Sequence, residues 1–178
     1  MKKVLMGCGG CLVLVVGALF ALYYMATDLP REHRASSAIE VAATPEELWP
    51  LVSDLEGQAD WCAMIHSVSV SETADGQKLY TQVGDMGPMP LLITASEEPS
   101  RFKTEIQGDD LGWGGTWEWT VEPTDGGSRV SIVEEGWVEN PMLRFLSHRV
   151  MGLHYGMDQM LTLLAAEVGS PGEPTHVE

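Results

Sequence analysis

Apolar residues recur at every second position through the middle of the chain, and at every third or fourth position near its end. The period-two region divides into runs at 65–72, 77–84, 89–97, 101–107, 115–122 and 128–137. Turn residues separate them: Ala74-Asp75-Gly76, Glu98-Pro99-Ser100 and Thr124-Asp125-Gly126-Gly127. Connectors this short predict an antiparallel meander, because parallel neighbours need long crossovers. Upstream, Ile39 and Val41 share one face of a further strand. A helix follows over 44–55, with Thr44 as cap, Pro45 at the first position and Glu47 three residues after the cap. Leu48, Leu51, Val52 and Leu55 form its apolar face, and Pro50 limits it to a few turns. A second short helical stretch lies around Asp60–Met64. Asn140-Pro141 opens a final helix, whose face runs Leu143, Leu146, Val150, Leu153, Met157, Met160, Leu164 and ends near Gly169. Residues 169–178 read as a disordered tail.

The N-terminus follows a different pattern. Residues 4–25 contain no charge, and as a helix they measure about 33 Å, enough for a bilayer core of about 30 Å. The expectation is a transmembrane anchor in 1–26 and a polar linker in 27–35. Tyr23 and Tyr24 fall where aromatic rings prefer the interface, and Lys2 and Lys3 keep the N-terminus cytoplasmic, with the soluble domain extracytoplasmic. A cleaved signal peptide is the alternative, but no small-x-small site stands near 21–27. Cys8 and Cys11 spell C-x-x-C inside the apolar run, where they read as small apolar side chains. Cys62 is the only cysteine beyond the span, so the soluble domain has no internal disulfide and rests on its core.

Charge narrows the partners. The formal net charge is −16, and two of the ten basic residues precede the span, leaving eight against 26 acids. Phosphate backbones repel such a domain, so nucleic acid is not an expected partner.

The order strand, two short helices, six strands and one long helix resembles the helix-grip fold of the Bet v 1/START-like superfamily, also called SRPBCC or polyketide cyclase-like. The resemblance rests on AIEVAATPEELWPLVSDLEGQADW (38–61), WEWTVEPTDGGSRVSIV (117–133) and LTLLAAE (161–167), and it covers about residues 36–168. It implies an α+β domain in which a seven-stranded curved antiparallel sheet grips the last helix around a cavity. Members bind lipids, sterols, polyketides or plant hormones, and some catalyse cyclisation. None of the matching segments is catalytic, so the fold does not fix the function.

Strand parity then proposes the lining. Leu91 and Ile93, Phe102 and Ile106, and Trp117 and Trp119 form apolar sets that would face the helix, with Leu153, Met157 and Met160 opposite. The same parity puts two ionisable residues, His66 and Glu134, among apolar neighbours; they are the weak candidates for acid/base work. His154 and Asp158 have an i, i+4 spacing that suits a metal, but no third ligand is evident. No P-loop, zinc cluster, nucleophile elbow or dinucleotide fingerprint occurs, so neither metal nor cofactor is expected. The leading expectation is a membrane-anchored, non-enzymatic domain that binds a small hydrophobic ligand. The alternatives are a cyclase/dehydratase-type enzyme, or an acidic envelope domain that binds proteins.

Overall fold

The computed structural model describes residues 23–108 and 111–177, with positions 14, 16, 17 and 20 of the N-terminal segment. The expected membrane span therefore lies mostly outside the described residues, as do Cys8 and Cys11. Among the described residues no helix is long and apolar enough to cross a membrane.

An antiparallel sheet of eight strands forms the frame, in the order β2-β3-β4-β5-β6-β7-β1-β8. Its strands are β1 (Glu32–Val41), β2 (Ile65–Glu72), β3 (Lys78–Gly84), β4 (Gly87–Glu97), β5 (Arg101–Ile106), β6 (Trp113–Thr124), β7 (Gly127–Val138) and β8 (Thr175–His176). Helices α1 (Pro45–Ser53) and α2 (Gln58–Trp61) follow β1; α3 (Pro141–Phe145) and α4 (Tyr155–Glu167) follow β7. This is the α+β helix-grip arrangement. β2 to β7 pair in sequence, and β1 pairs with β7, Ile39 opposite Val130, which brings the first strand beside the last of the meander.

Local chemistry accounts for the elements. Thr44 and Glu47 form a reciprocal capping box, with Glu47 N–H donating to Thr44 Oγ1 at 3.4 Å and Thr44 N–H to Glu47 Oε2 at 2.9 Å. The two helix donors that would otherwise lack partners are satisfied, so α1 starts where the sequence says. Its Leu48, Trp49 and Val52 are buried. Trp49 meets Phe102 edge-on, ring centroids 6.3 Å apart, joining α1 to the sheet. Gln58 is also buried: its amide donates to Val52 O at 2.9 Å and accepts from Gln82 at 2.8 Å, so its polar groups are satisfied inside the core.

Three expectations need correction. The segment 27–35 is not all linker, because β1 begins at Glu32. Glu32 and Arg34 stay exposed while His33 and Ala35 turn inward, so strand alternation persists beneath a polar composition. The last helix is not continuous. A π-helical turn over Leu146–Met151 follows α3, and Gly152 breaks the chain at φ +86° before α4 begins. A π turn carries an extra residue and shifts the phase of the apolar face. Leu143, Leu146 and Val150 accordingly stand exposed, whereas Met157, Met160, Leu161 and Leu164 are buried against the sheet. Finally, the tail is ordered: Thr175 and His176 pair with Ala38 and Ser37 of β1 as an eighth strand, where seven were expected.

Candidate functional site

The inner face is unevenly covered. Part of it is a filled core: Phe102 is 1% exposed and Met157 0%, and Trp119, Leu91 and Met160 are buried as well. Met160 also takes the Cys62 thiol against its sulfur at 3.3 Å. Directly beside it the cover loosens, since buried Leu91 pairs opposite the partly buried Ile106. Ile93, Ile106, Trp117 and Leu153 pack against that core yet are only partly buried, beside Tyr80 and Met89. The nine residues predicted to line a cavity thus divide into five of the core and four of an open stretch.

Two glycines help make that stretch shallow. Gly115 of β6 pairs with Gly136 of β7, so neither strand contributes a side chain there. At Gly115, φ is +149° and a Cβ would stand 2.3 Å from Glu135 O, which excludes any other residue without backbone movement. At Gly136 a Cβ would come within 2.8 Å of the His33 ring. The imidazole therefore lies in the space a side chain at 136 would take.

His33 starts a polar cluster inside the apolar face. Its Nε2 lies 2.9 Å from Glu134 Oε1, and Trp117 Nε1–H donates to Glu134 Oε2 at 2.9 Å. Glu134 pairs opposite Trp117 across the β6–β7 ladder, so the register itself aligns carboxylate and indole. The His33 side chain is 7% exposed, and its Nδ1 has no partner among the described residues. His148, on the π-helical turn, meets the His33 ring edge-on with centroids 6.1 Å apart. Burial pushes the His148 pKa down, and the charges of His33, Arg149 and Arg144 push it further the same way. Arg144 is buried, and its Nη1 donates weakly to Val138 O at 3.4 Å.

The predicted pair of His66 and Glu134 does not exist. A bulge between Ile65 and Ser67 shifts the register of β2, and the His66 side chain is 53% exposed beside Asp85. The histidine that Glu134 meets is His33, hidden in what reads as linker. Its signal was the parity His33, Ala35, Ser37, Ile39, Val41, extended two residues further upstream than the first obvious apolar position.

A second polar group sits behind α4. Ser37 Oγ donates to Asp158 Oδ1 at 2.6 Å and lies 3.2 Å from His154 Nδ1. The tail adds His176, with Nε2 3.0 Å from Asp158 Oδ2 and its ring stacked on His154 at 3.7 Å. Here the Ser37 proton points to a carboxylate, and no histidine stands between the two, so the arrangement lacks the geometry of an activated nucleophile. His176 joins the predicted His154–Asp158 pair; among the described residues no group of His, Cys, Asp or Glu is arranged to hold a metal.

Two open hollows of about 580 and 390 Å³ lie at the opposite end, around Pro45, Pro99 and Asp125 and around Glu40 and Ser170. None of the nine predicted residues borders them.

Residues 32–169 match the family model described as polyketide cyclase/dehydrase and lipid transport. No curated protein matches the chain. Among solved structures, norcoclaurine synthase from Thalictrum flavum in complex with dopamine and hydroxybenzaldehyde superposes with a TM-score of 0.59 at 13% identity, covering 77% of this chain and 86% of that one. A Mesorhizobium loti protein gives 0.58 at 14% identity, over 77% and 97%. The XoxI protein of Bacillus cereus gives 0.52 at 15%, over 78% and 96%. At these identities the likeness is one of fold.

Proposed function

Because the chain belongs to the polyketide cyclase/dehydrase and lipid transport family, we propose that its domain holds a small hydrophobic ligand against the open half of the grip. The observation that carries this is the graded inner face. Ile93, Ile106, Trp117 and Leu153 keep apolar surface partly uncovered, while Phe102, Trp119, Met157 and Met160 on the same inner side are buried. Uncovered apolar surface of this kind gains free energy when a ligand displaces its water.

Residues 4–25 hold the domain at a membrane in this proposal. In support, Leu14, Val16, Phe20, Tyr23 and Tyr24 are exposed apolar or aromatic positions. The chain then enters β1 beside the start of α3: Val138 N–H donates to Arg31 O at 3.0 Å, and Arg31 pairs with Glu139 at 3.1 Å. Met142, Leu143, Leu146, Val150 and Met151 are exposed just beyond that junction. An apolar face beside the tether favours ligand entry from the bilayer side.

The test is a titration of the full chain in nanodiscs with the uncharged probe N-phenyl-1-naphthylamine, corrected for empty nanodiscs. Saturable binding near one probe per chain, lost in Leu153→Gln and kept in Val70→Gln on the edge strand, is expected. Binding that never saturates, or that Leu153→Gln leaves unchanged, overturns the proposal. The His33–Glu134 pair favours one second reading, acid–base chemistry on the bound molecule, with His33 Nδ1 as the group that exchanges a proton.

A further inference from the structure

We infer that the ligand carries an anionic oxygen head group, a carboxylate or a phosphate, which His33 and Arg144 receive at the α3 end of the grip. The inference rests on the hydrophobic-ligand reading above and adds the chemistry of the ligand's polar end.

The first observation is a buried cation. Arg144 is 4% exposed, and its Nε has no hydrogen-bond partner among the described residues. Arginine cannot shed its proton in a protein, so burial leaves a fixed charge that needs an acceptor. Among the described residues no carboxylate forms an ion pair with it; the arginine pairs are those of Arg31, Arg34, Arg101 and Arg129.

The second observation is independent and lies on another element. His33 Nδ1, on β1, is also buried without a partner among the described residues. The opposite nitrogen is committed to Glu134, and both oxygens of that carboxylate are taken, by His33 and by Trp117. Glu134 takes the Nε2–H and holds the imidazole in place, so Nδ1 donates to the head group only when the acid brings its own proton, which then sits on the ring while Arg144 receives the anionic oxygen.

The two groups belong to one neighbourhood. Arg144 Nη1 reaches Val138 O, and the N–H of the same residue bonds Arg31 O, two positions before His33. His148 lies four residues after Arg144, edge-on to His33, with Arg149 beside it. Two arginines, Arg144 and Arg149, thus stand near the single carboxylate of Glu134 in this corner of a chain whose net charge is −16. An anion is attracted to this corner and repelled from most of the remaining surface. Trp117 bridges the polar cluster to the apolar stretch, since its indole N–H faces Glu134 while the ring packs on Gly156 of α4 at 3.5 Å from where a Cβ would stand. A head group at Arg144 and His33 would place an attached alkyl or aryl chain along Trp117, Ile106, Ile93 and Leu153.

The experiment titrates the full chain in nanodiscs with octanoate, octyl phosphate, octanol and octyltrimethylammonium, read by Trp fluorescence against empty nanodiscs. One or both anions should bind at least about tenfold tighter than octanol, the increment of a charge-assisted hydrogen bond. The tighter of the two identifies carboxylate or phosphate as the head. Arg144→Gln should bring the anion to the octanol level, Arg144→Lys should restore part of the preference, and Lys103→Gln should leave it intact. If Arg144→Gln does not fold, the comparison of the four ligands on the unmodified chain decides alone. Octanol binding as tightly as both anions overturns this inference and leaves the hydrophobic-ligand reading standing. Absence of saturable binding by any of the four overturns both.

Discussion

His33 and Trp117 stand on strands that are not neighbours, yet both donate to one carboxylate, each at 2.9 Å from a different oxygen of Glu134. The side chain of β7 thereby fastens β1 and β6 from inside the grip. Removing the carboxylate leaves two buried donors without acceptors. Glu134→Leu should cost about 3 kcal/mol, whereas Glu134→Gln should cost about 1, because its oxygen still accepts from Trp117 and its amide can donate to His33 in the other tautomer. Thermal unfolding followed by Trp fluorescence distinguishes the two; equal losses would remove the carboxylate from its fastening role.

Gly136 gives a prediction about space. A methyl there meets His33 Cε1 and Nε2 at 2.8 Å, and the ring, held by Glu134, has little room to yield. Gly136→Ala should destabilise by about 1–3 kcal/mol, as overpacked sites do. Gly126, in the β6–β7 turn, has nothing within 4 Å of the same methyl and no positive φ. Gly126→Ala should be neutral or add about 0.5 kcal/mol through the unfolded state. A urea series on both variants checks the contrast.

His148 predicts a pH effect. Burial, with the nearby charges of His33, Arg149 and Arg144, holds its pKa below the ordinary 6.5, so the folded protein favours the neutral ring. The unfolded chain protonates first as pH falls. The contribution is therefore fully present above about 6.5 and is lost as pH falls from there through the folded value. Unfolding midpoints measured from pH 8 to 5 should drop less steeply in His148→Gln than in the unmodified chain. Parallel curves would show that His148 does not carry the dependence.

Cys62 should be a slow thiol. It is fully buried, its thiol meets the Met160 sulfur, and burial raises its pKa above the ordinary 9.0. In a chain with Cys8 and Cys11 replaced by serine, alkylation at pH 8 should be far slower in the native state than in urea. Comparable rates in both would mean that the α2–α4 contact opens readily.

Much of the fold was legible because β2 to β7 alternate cleanly and meet at turns rich in Gly, Pro and Asp. The strand 65–72 matches β2 residue for residue, and Thr44-Pro45 with Glu47 marked the start of α1. The site was less legible for two physical reasons. The break at Gly152 leaves the three-four spacing of apolar residues unchanged, so the sequence pattern runs on across it while the exposed face rotates. His33 lies among Arg31, Glu32 and Arg34, where composition suggests solvent, and only strand parity tells its inward side from the outward charges. At His66 parity itself failed, because a single bulge reverses every face before it.

The pairing of Thr175 and His176 with Ala38 and Ser37 has one more effect. β1 spans ten residues, and without the tail its outer rim would present backbone donors and acceptors to any passing chain. The two-residue rim strand, locked by His176 on Asp158, pairs with two of those ten residues and interrupts the template at Ser37 and Ala38. The opposite rim is β2, with serines at 67, 69 and 71, a poor seed for sheet growth. Edge pairing between copies should therefore be easier without these residues, and light scattering of a chain ended at residue 172 should rise with time where that of the full chain stays flat.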